Sequence, residues 1–139
     1  MRLWHKDLIP VLPRQQLLGQ WREVCAIARN IAVKGTPNHV LVNRVMDYPM
    51  SHLWEYARLI HEEKKHRGYR GDFEKFEKWI QQPLIDTIPE TSELFKGWHN
   101  GRYLRQCLYN LEEKADCGAI PDEEWIAIVR WNRNRFSGR

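Results

Sequence analysis

Just after Pro13, apolar residues begin to recur at helical spacing, at Leu17, Leu18, Trp21, Val24, Cys25, Ala28, Ile31 and Ala32, and the pattern stops near residue 33 before Gly35 and Pro37. This predicts a first long helix. A second runs from Met50 to Arg67, with Leu53, Trp54, Ala57 and Ile60 inside and the basic residues Lys64, Lys65 and Arg67 ahead of Gly68, as suits a helix C-terminus and its dipole. Asp72 is placed to cap a short helix through Gln82, which Pro83 ends. The Pro-containing stretch to about Trp98 reads as irregular, with one turn at residues 92–95. Asn100 caps a third long helix that buries Tyr103, Leu104, Cys107, Leu108 and Leu111 and ends near Gly118. A last helical segment extends from Asp122 to about Trp131, ahead of a basic and aromatic tail. No run alternates over strand length, and there is no internal repeat, so the expected fold is all-α.

Composition narrows this picture modestly. The 139 residues, 42% hydrophobic with seven tryptophans, are enough for one packed core, and a single domain over residues 1–139 is expected. A net charge of +4 and a pI near 9.1 are compatible with a polyanionic partner and do not require one. Cys25, Cys107 and Cys117 form no CxxC; Cys25 and Cys107 lie in apolar-periodic segments, which reads as reduced thiols in a cytoplasmic protein. The opening "MRLWHKDLIPVLPR" carries charges and two prolines, and no later apolar run reaches the roughly 18 residues of a membrane span. Neither export nor membrane insertion is expected.

Most familiar chemical signatures are missing. His61 and His66 in "HEEKKH" are five apart, off the i, i+4 face of a helical zinc pair, and there is no HExxH, GxGxxG, P-loop or GxSxG. No metal is expected. The tail "RWNRNRFSGR" interleaves Arg130, Arg133, Arg135 and Arg139 with Trp131 and Phe136, a mix suited to phosphates and bases or to a solvated terminus. The run Lys64, Lys65, His66, Arg67, Arg70 follows Glu62 and Glu63 and reads foremost as a helix-ending charge pattern.

The first helix holds the most informative stretch, "QQLLGQWRE". At about 100° per residue, Gln16, Gly19, Gln20, Glu23, Ala26 and Asn30 share one side, opposite Leu17, Trp21, Cys25 and Ala28. Glu23 therefore stands between the small residues Gly19 and Ala26, open to a bulky partner or to close helix packing. An interior glycine costs about 1 kcal/mol relative to alanine, which implies a use for the space.

The order of Arg2 beside the amino terminus, then Gln15, Leu17 and Arg22-Glu23, resembles the pyrimidine-dimer DNA glycosylase family, the small phage-type UV-damage endonuclease V. Looser likenesses are His39-Val40, the helix end Arg67-Gly68-Tyr69, and Leu111-Glu112-Glu113-Lys114. The resemblance implies one compact domain of three long helices plus short ones, with the N-terminal segment packed against the helices near the site. It implies a DNA-repair glycosylase with abasic-site lyase activity on UV-type pyrimidine dimers, needing neither metal nor organic cofactor. Enzymes of this family attack the sugar C1′ with the N-terminal α-amine, form an imine, release the base and break the strand by β-elimination. Residue by residue, Met1 would supply the amine, Glu23 the carboxylate and Arg22 positive charge near the sugar. Arg2, Gln15, Arg22 and Lys114 would contact double-stranded damaged DNA. A monomer is expected, cytoplasmic and nucleoid-associated when bound. The chain departs from the family pattern where Arg2 is too large for removal of Met1, and where Gln16, Ala26 and Asn110 stand in place of a histidine and two basic residues. The alternative of another class is a non-catalytic helical protein on the same scaffold that binds nucleic acid or protein.

Overall fold

The computed structural model describes residues 2–34 and 39–137. Their regular structure is helical throughout: a 3₁₀ helix at Lys6–Val11, then α1 (Arg14–Lys34), α2 (Val40–Met46), α3 (Met50–His66), α4 (Glu74–Glu77), a 3₁₀ turn at Ile85–Thr87, α5 (Gly101–Asp116) and α6 (Asp122–Ser137). α1 packs on α3 and α4, α2 lies against both α1 and α3, and α6 closes over α5 and the first 3₁₀ helix. No strand occurs among the described residues, and none of these helices is long and apolar enough to cross a membrane.

The expected caps are in place. Asn100 accepts from the backbone N–H of Tyr103 at 2.9 Å and so satisfies one of the orphan donors of α5. α3 and α5 end alike: Gly68 and Gly118 adopt φ of 81° and 79°, and the next residue's N–H returns to Lys64 (2.9 Å) or Lys114 (2.8 Å). Open space surrounds both glycines, so the left-handed backbone and not crowding demands them.

Three segments differ from the sequence expectation. α2 goes unpredicted because seven residues are too short to show a helical period; His39 caps it through a 3.2 Å bond from Leu41 N–H, and Leu41, Val42 and Val45 face inward. α4 is one turn, with Asp72 accepting from Glu74 N–H as anticipated; turns and irregular chain, not helix, carry it on to Gln82. α6 runs to Ser137, beyond Trp131, because Trp131 packs against the core and holds Arg135 over its ring at 5.0 Å. Gly35, Pro37 and Arg139 lie outside the described residues, as does the side chain of Phe136.

Two of the cations grouped as a helix-ending pattern turn inward. Lys64 is buried with its ammonium 5.1 Å from the Trp21 ring, and burial holds its pKa below the usual lysine value. Arg67 donates to the carbonyls of Leu12 (2.7 Å), Ile9 and Pro10 (3.3 Å each) and to Glu63, lashing the first 3₁₀ helix to the end of α3. The opposite end of that 3₁₀ helix is held by residues 94–99. Lys6 N–H donates to His99 Nδ1 at 3.0 Å and the Lys6 ammonium to the Leu94 carbonyl at 2.8 Å. Next to them Phe95, fully buried, adopts a φ of 51°. The left-handed backbone costs about 1–2 kcal/mol, which burial of the ring, at about 1.5–3 kcal/mol, offsets. Its ring meets Tyr48, Tyr56, Trp98 and His99, and its N–H donates to His52.

Candidate active site

Between the amino-terminal segment, α1 and α5 lies a cleft of about 350 Å³, lined by Arg2, Trp4, Gln16, Gly19, Gln20, Glu23, Asn110 and Lys114. Helical spacing explains the α1 contribution: residues 16, 19, 20 and 23 fall on adjacent turns of one face. Asn110 and Lys114, four apart on α5, form the facing wall.

The amino-terminal segment is pinned there by a network that sequence patterning did not reveal. Gln20, expected on the polar side of α1, is 2% exposed. Its carbonyl oxygen accepts from Trp4 N–H (2.6 Å) and lies 2.9 Å from the Tyr56 hydroxyl, while its amide nitrogen donates to the Arg2 carbonyl (2.9 Å) and Glu23 (3.3 Å). The Tyr56 hydroxyl also reaches the Trp4 carbonyl at 2.6 Å, and Tyr103 donates to the Leu3 carbonyl at 2.6 Å. Burial raises both phenol pKa values, so both remain neutral donors across the working pH range. The signal for this network was slight: a glutamine in a polar row, Tyr103 counted on an apolar face, and Tyr56, which the pattern did not single out.

Glu23 is half-buried at the cleft wall. Two cations, Arg2 and Lys114, share the cleft with it, and the Arg2 guanidinium rests over Trp4 at 5.4 Å. Gln16 also faces the cleft, and its carbonyl oxygen is buried with no hydrogen-bond partner among the described residues. Gly19 opens the rim: a Cβ built there would meet only the Arg22 guanidinium, at 3.7 Å. Of the residues singled out from sequence, Arg2, Glu23 and Lys114 come together. Arg22 is exposed beside the rim without lining the cleft, and Gln15 is exposed and apart from its lining. Met1 lies outside the described residues. Two departures from the family pattern, Gln16 and Asn110, stand in the cleft wall, whereas Ala26 is exposed and away from it.

Among the described residues no group of three or more His, Cys, Asp or Glu is arranged to hold a metal ion. The groups that converge here are a carboxylate, two cations and amides, a set suited to a phosphate-bearing substrate and to proton transfer.

The fold and the cleft thus define an all-helical protein with an anion-seeking cleft beside its amino end. The family model for pyrimidine dimer DNA glycosylase matches residues 1–77, a span that includes Arg2, Gln15, Arg22 and Glu23, and the chain belongs to that family. Comparison with curated proteins and with solved structures gives no match.

Proposed function

We propose that the protein is a glycosylase of UV-type pyrimidine dimers in double-stranded DNA with associated abasic-site lyase activity, and that its nucleophile is the α-amine of Met1. One observation carries this reading: the segment leading to Met1 is fastened by Gln20, Tyr56 and Tyr103 so that Arg2 lines the cleft with Glu23 and Lys114. A residue bonded to Arg2 has its Cα 3.8 Å from that of Arg2, which keeps its amine within one residue of the cleft.

An α-amine has an ordinary pKa of about 7.7–8.0, so a neutral fraction exists at neutral pH without any shift. The amine forms a C–N bond at the sugar C1′ as the glycosidic bond breaks, and the freed base takes up a proton while still joined to its partner in the dimer. The sugar ring opens to a protonated imine. Loss of a C2′ proton then expels the 3′ phosphate. Glu23 carries protons in these steps and faces the cationic imine with its carboxylate. Arg2 and Lys114 hold flanking phosphates, with Arg22 and Gln15 on the DNA-facing surface outside the cleft. Extrusion of the target costs a few kcal/mol, least at a distorted lesion, which favours damaged sites.

Borohydride trapping on abasic and dimer-containing duplexes, followed by peptide mapping, tests the reading. The adduct is expected on the N-terminal peptide. One extra N-terminal residue displaces the amine by about 3.3–3.6 Å and is expected to remove most trapping. An adduct on an internal lysine overturns the mechanism, and no adduct with abasic DNA favours a non-catalytic binding protein.

A further inference from the structure

α5 turns a row of polar side chains outward: Arg102, Gln106, Asn110 and Lys114, four residues apart and so about 6 Å apart along the axis, about 18 Å in all. The carboxyl end of the row borders the Glu23 cleft. Its amino end borders a second, larger hollow of about 800 Å³, walled on the other side by α2 with Asn43 and Arg44. Arg2 and Asn110 line both hollows, so the two adjoin at these side chains.

The charge in the second hollow is one-sided. Arg2, Arg44 and Arg102 face it against one carboxylate, Asp47, a net of +2. Neither Arg44 nor Arg102 forms an ion pair among the described residues. Arg44 lies over the Trp98 ring at 5.5 Å, which fixes its plane and leaves its N–H edges for another partner. Tyr109 stands at the same hollow 69% exposed.

Donors repeated every 6 Å along a helix suit a ligand with repeated acceptors better than one compact anion. We propose that this hollow carries the sugar-phosphate backbone of DNA on one side of the reacting nucleotide, Arg44 and Arg102 each neutralising a phosphate. At 3.4 Å of rise per nucleotide along a strand, the 18 Å row spans about five nucleotides. The inference rests on the DNA-repair reading of the neighbouring cleft, which it extends to a second anchor. One-sided anchoring also gives the complex a direction: one arm of the duplex lies along α5 and the other leaves the cleft past α1.

The test is a binding cycle, read by fluorescence anisotropy on duplexes with a tetrahydrofuran abasic analogue that the enzyme cannot cleave. One set of duplexes keeps both arms; two others shorten the 5′ or the 3′ arm to two base pairs. Shortening one arm is expected to weaken binding by wild-type protein far more than shortening the other. In R44Q/R102Q, binding to the full duplex weakens and the log–log salt slope flattens by about 1.8, two contacts at about 0.9 each. The double variant also loses its arm preference, because the arm that mattered has lost its contacts. An unchanged salt slope, or an arm preference retained in full by the double variant, overturns the second anchor and leaves the cleft chemistry standing. No binding of wild-type protein to any of the duplexes overturns the DNA reading and the anchor together.

Discussion

The two ends of the chain each stack an arginine on a tryptophan, Arg2 over Trp4 at 5.4 Å and Arg135 over Trp131 at 5.0 Å. Their surroundings differ. Arg135 and Trp131 border a hollow in which Arg135 and Lys6 face three carboxylates, Asp7, Glu62 and Glu63, and Arg135 donates to Asn132 within its own helix. Arg2 shares its cleft with a single carboxylate, Glu23, and with a second cation, Lys114. Local chemistry is therefore the same at both ends, and the balance of neighbouring charges separates them. A phosphate finds excess positive charge at the amino end and three competing carboxylates at the other. The backbone differs as well. Residues 2–4 are held by side chains from three helices, whereas Trp131 and Arg135 ride on one helix. Rigid placement of the reacting group is the larger share of what an intramolecular geometry contributes to rate.

The sharpest break of this contrast is Glu23→Gln, which keeps the bulk and removes the carboxylate proposed to carry protons. Turnover on dimer-containing DNA is expected to fall by about 10²–10⁴-fold, with duplex affinity nearly unchanged. Equal losses in rate and affinity would make Glu23 structural. Next comes the fastening of the amino end. Gln20→Leu leaves the buried Trp4 N–H and the part-buried Arg2 carbonyl without their partner, at about 1–3 kcal/mol for a buried unsatisfied group and less for one that water can reach. Urea unfolding at pH 7 is expected to show a loss of about 2–4 kcal/mol, and trapping of abasic DNA is expected to fall in the folded fraction as the amine loses its position. Normal trapping by folded Gln20→Leu would show that the amine needs no such fastening.

These two variants also mark how far the sequence could be read. The three long helices were legible from their apolar period, and the ends of the second and third because Asn100, Gly68 and Gly118 are local signals, each acting on backbone within a turn. Glu23 was legible as a carboxylate between small residues. Gln20 was not, since the hydrogen bonds that bury it come from Trp4 and Tyr56, 16 and 36 residues away, and no spacing rule encodes such pairs. α2 was hidden by its length. The course of α6 past Trp131 escaped because its amphipathic pattern is weak and its arginines suit a solvated tail as well as a helix. For the same reason residue order could nominate Lys114 and Gln15 together, while only packing separates the residue that lines the cleft from the one that does not.

A smaller effect concerns pH. His99 sits beneath the fastened segment, stacked on His5 at 5.2 Å, accepting from Lys6 N–H, with its Nε2 buried and unpartnered among the described residues. Burial, aided by His5, Lys6 and Arg44, lowers its pKa to about 2. The folded protein thus refuses a proton that the unfolded chain accepts below its ordinary value of about 6.5. His99 costs no stability above that pH, and below it stability falls by up to about 1.4 kcal/mol per pH unit until pH approaches 2. His99→Gln, whose amide oxygen can still accept from Lys6, is expected to flatten this dependence between pH 6 and 4 in urea titrations. An unchanged slope would assign the acid sensitivity to other groups.

The smallest expected effect answers the question that Gly19 raises inside α1. A Cβ at this position meets nothing nearer than the Arg22 guanidinium at 3.7 Å, an ordinary contact, so packing does not forbid a side chain. Alanine there removes backbone entropy from the unfolded chain and is expected to stabilise the protein by about 0.5–1 kcal/mol. A helix that forgoes this gain next to Glu23 keeps something in return. The methyl group would stand on the rim of the 350 Å³ cleft beside Arg22 and, on the proposed reading, narrow the approach of the sugar to the carboxylate. Gly19→Ala is therefore expected to raise the urea midpoint while lowering the single-turnover trapping rate several-fold, with binding to undamaged duplex unaltered. Stability and activity moving in opposite directions is the signature of a residue kept for the cleft. If alanine raises stability and leaves trapping at the wild-type rate, the space at Gly19 serves no substrate, and the approach to Glu23 must come from the α5 side.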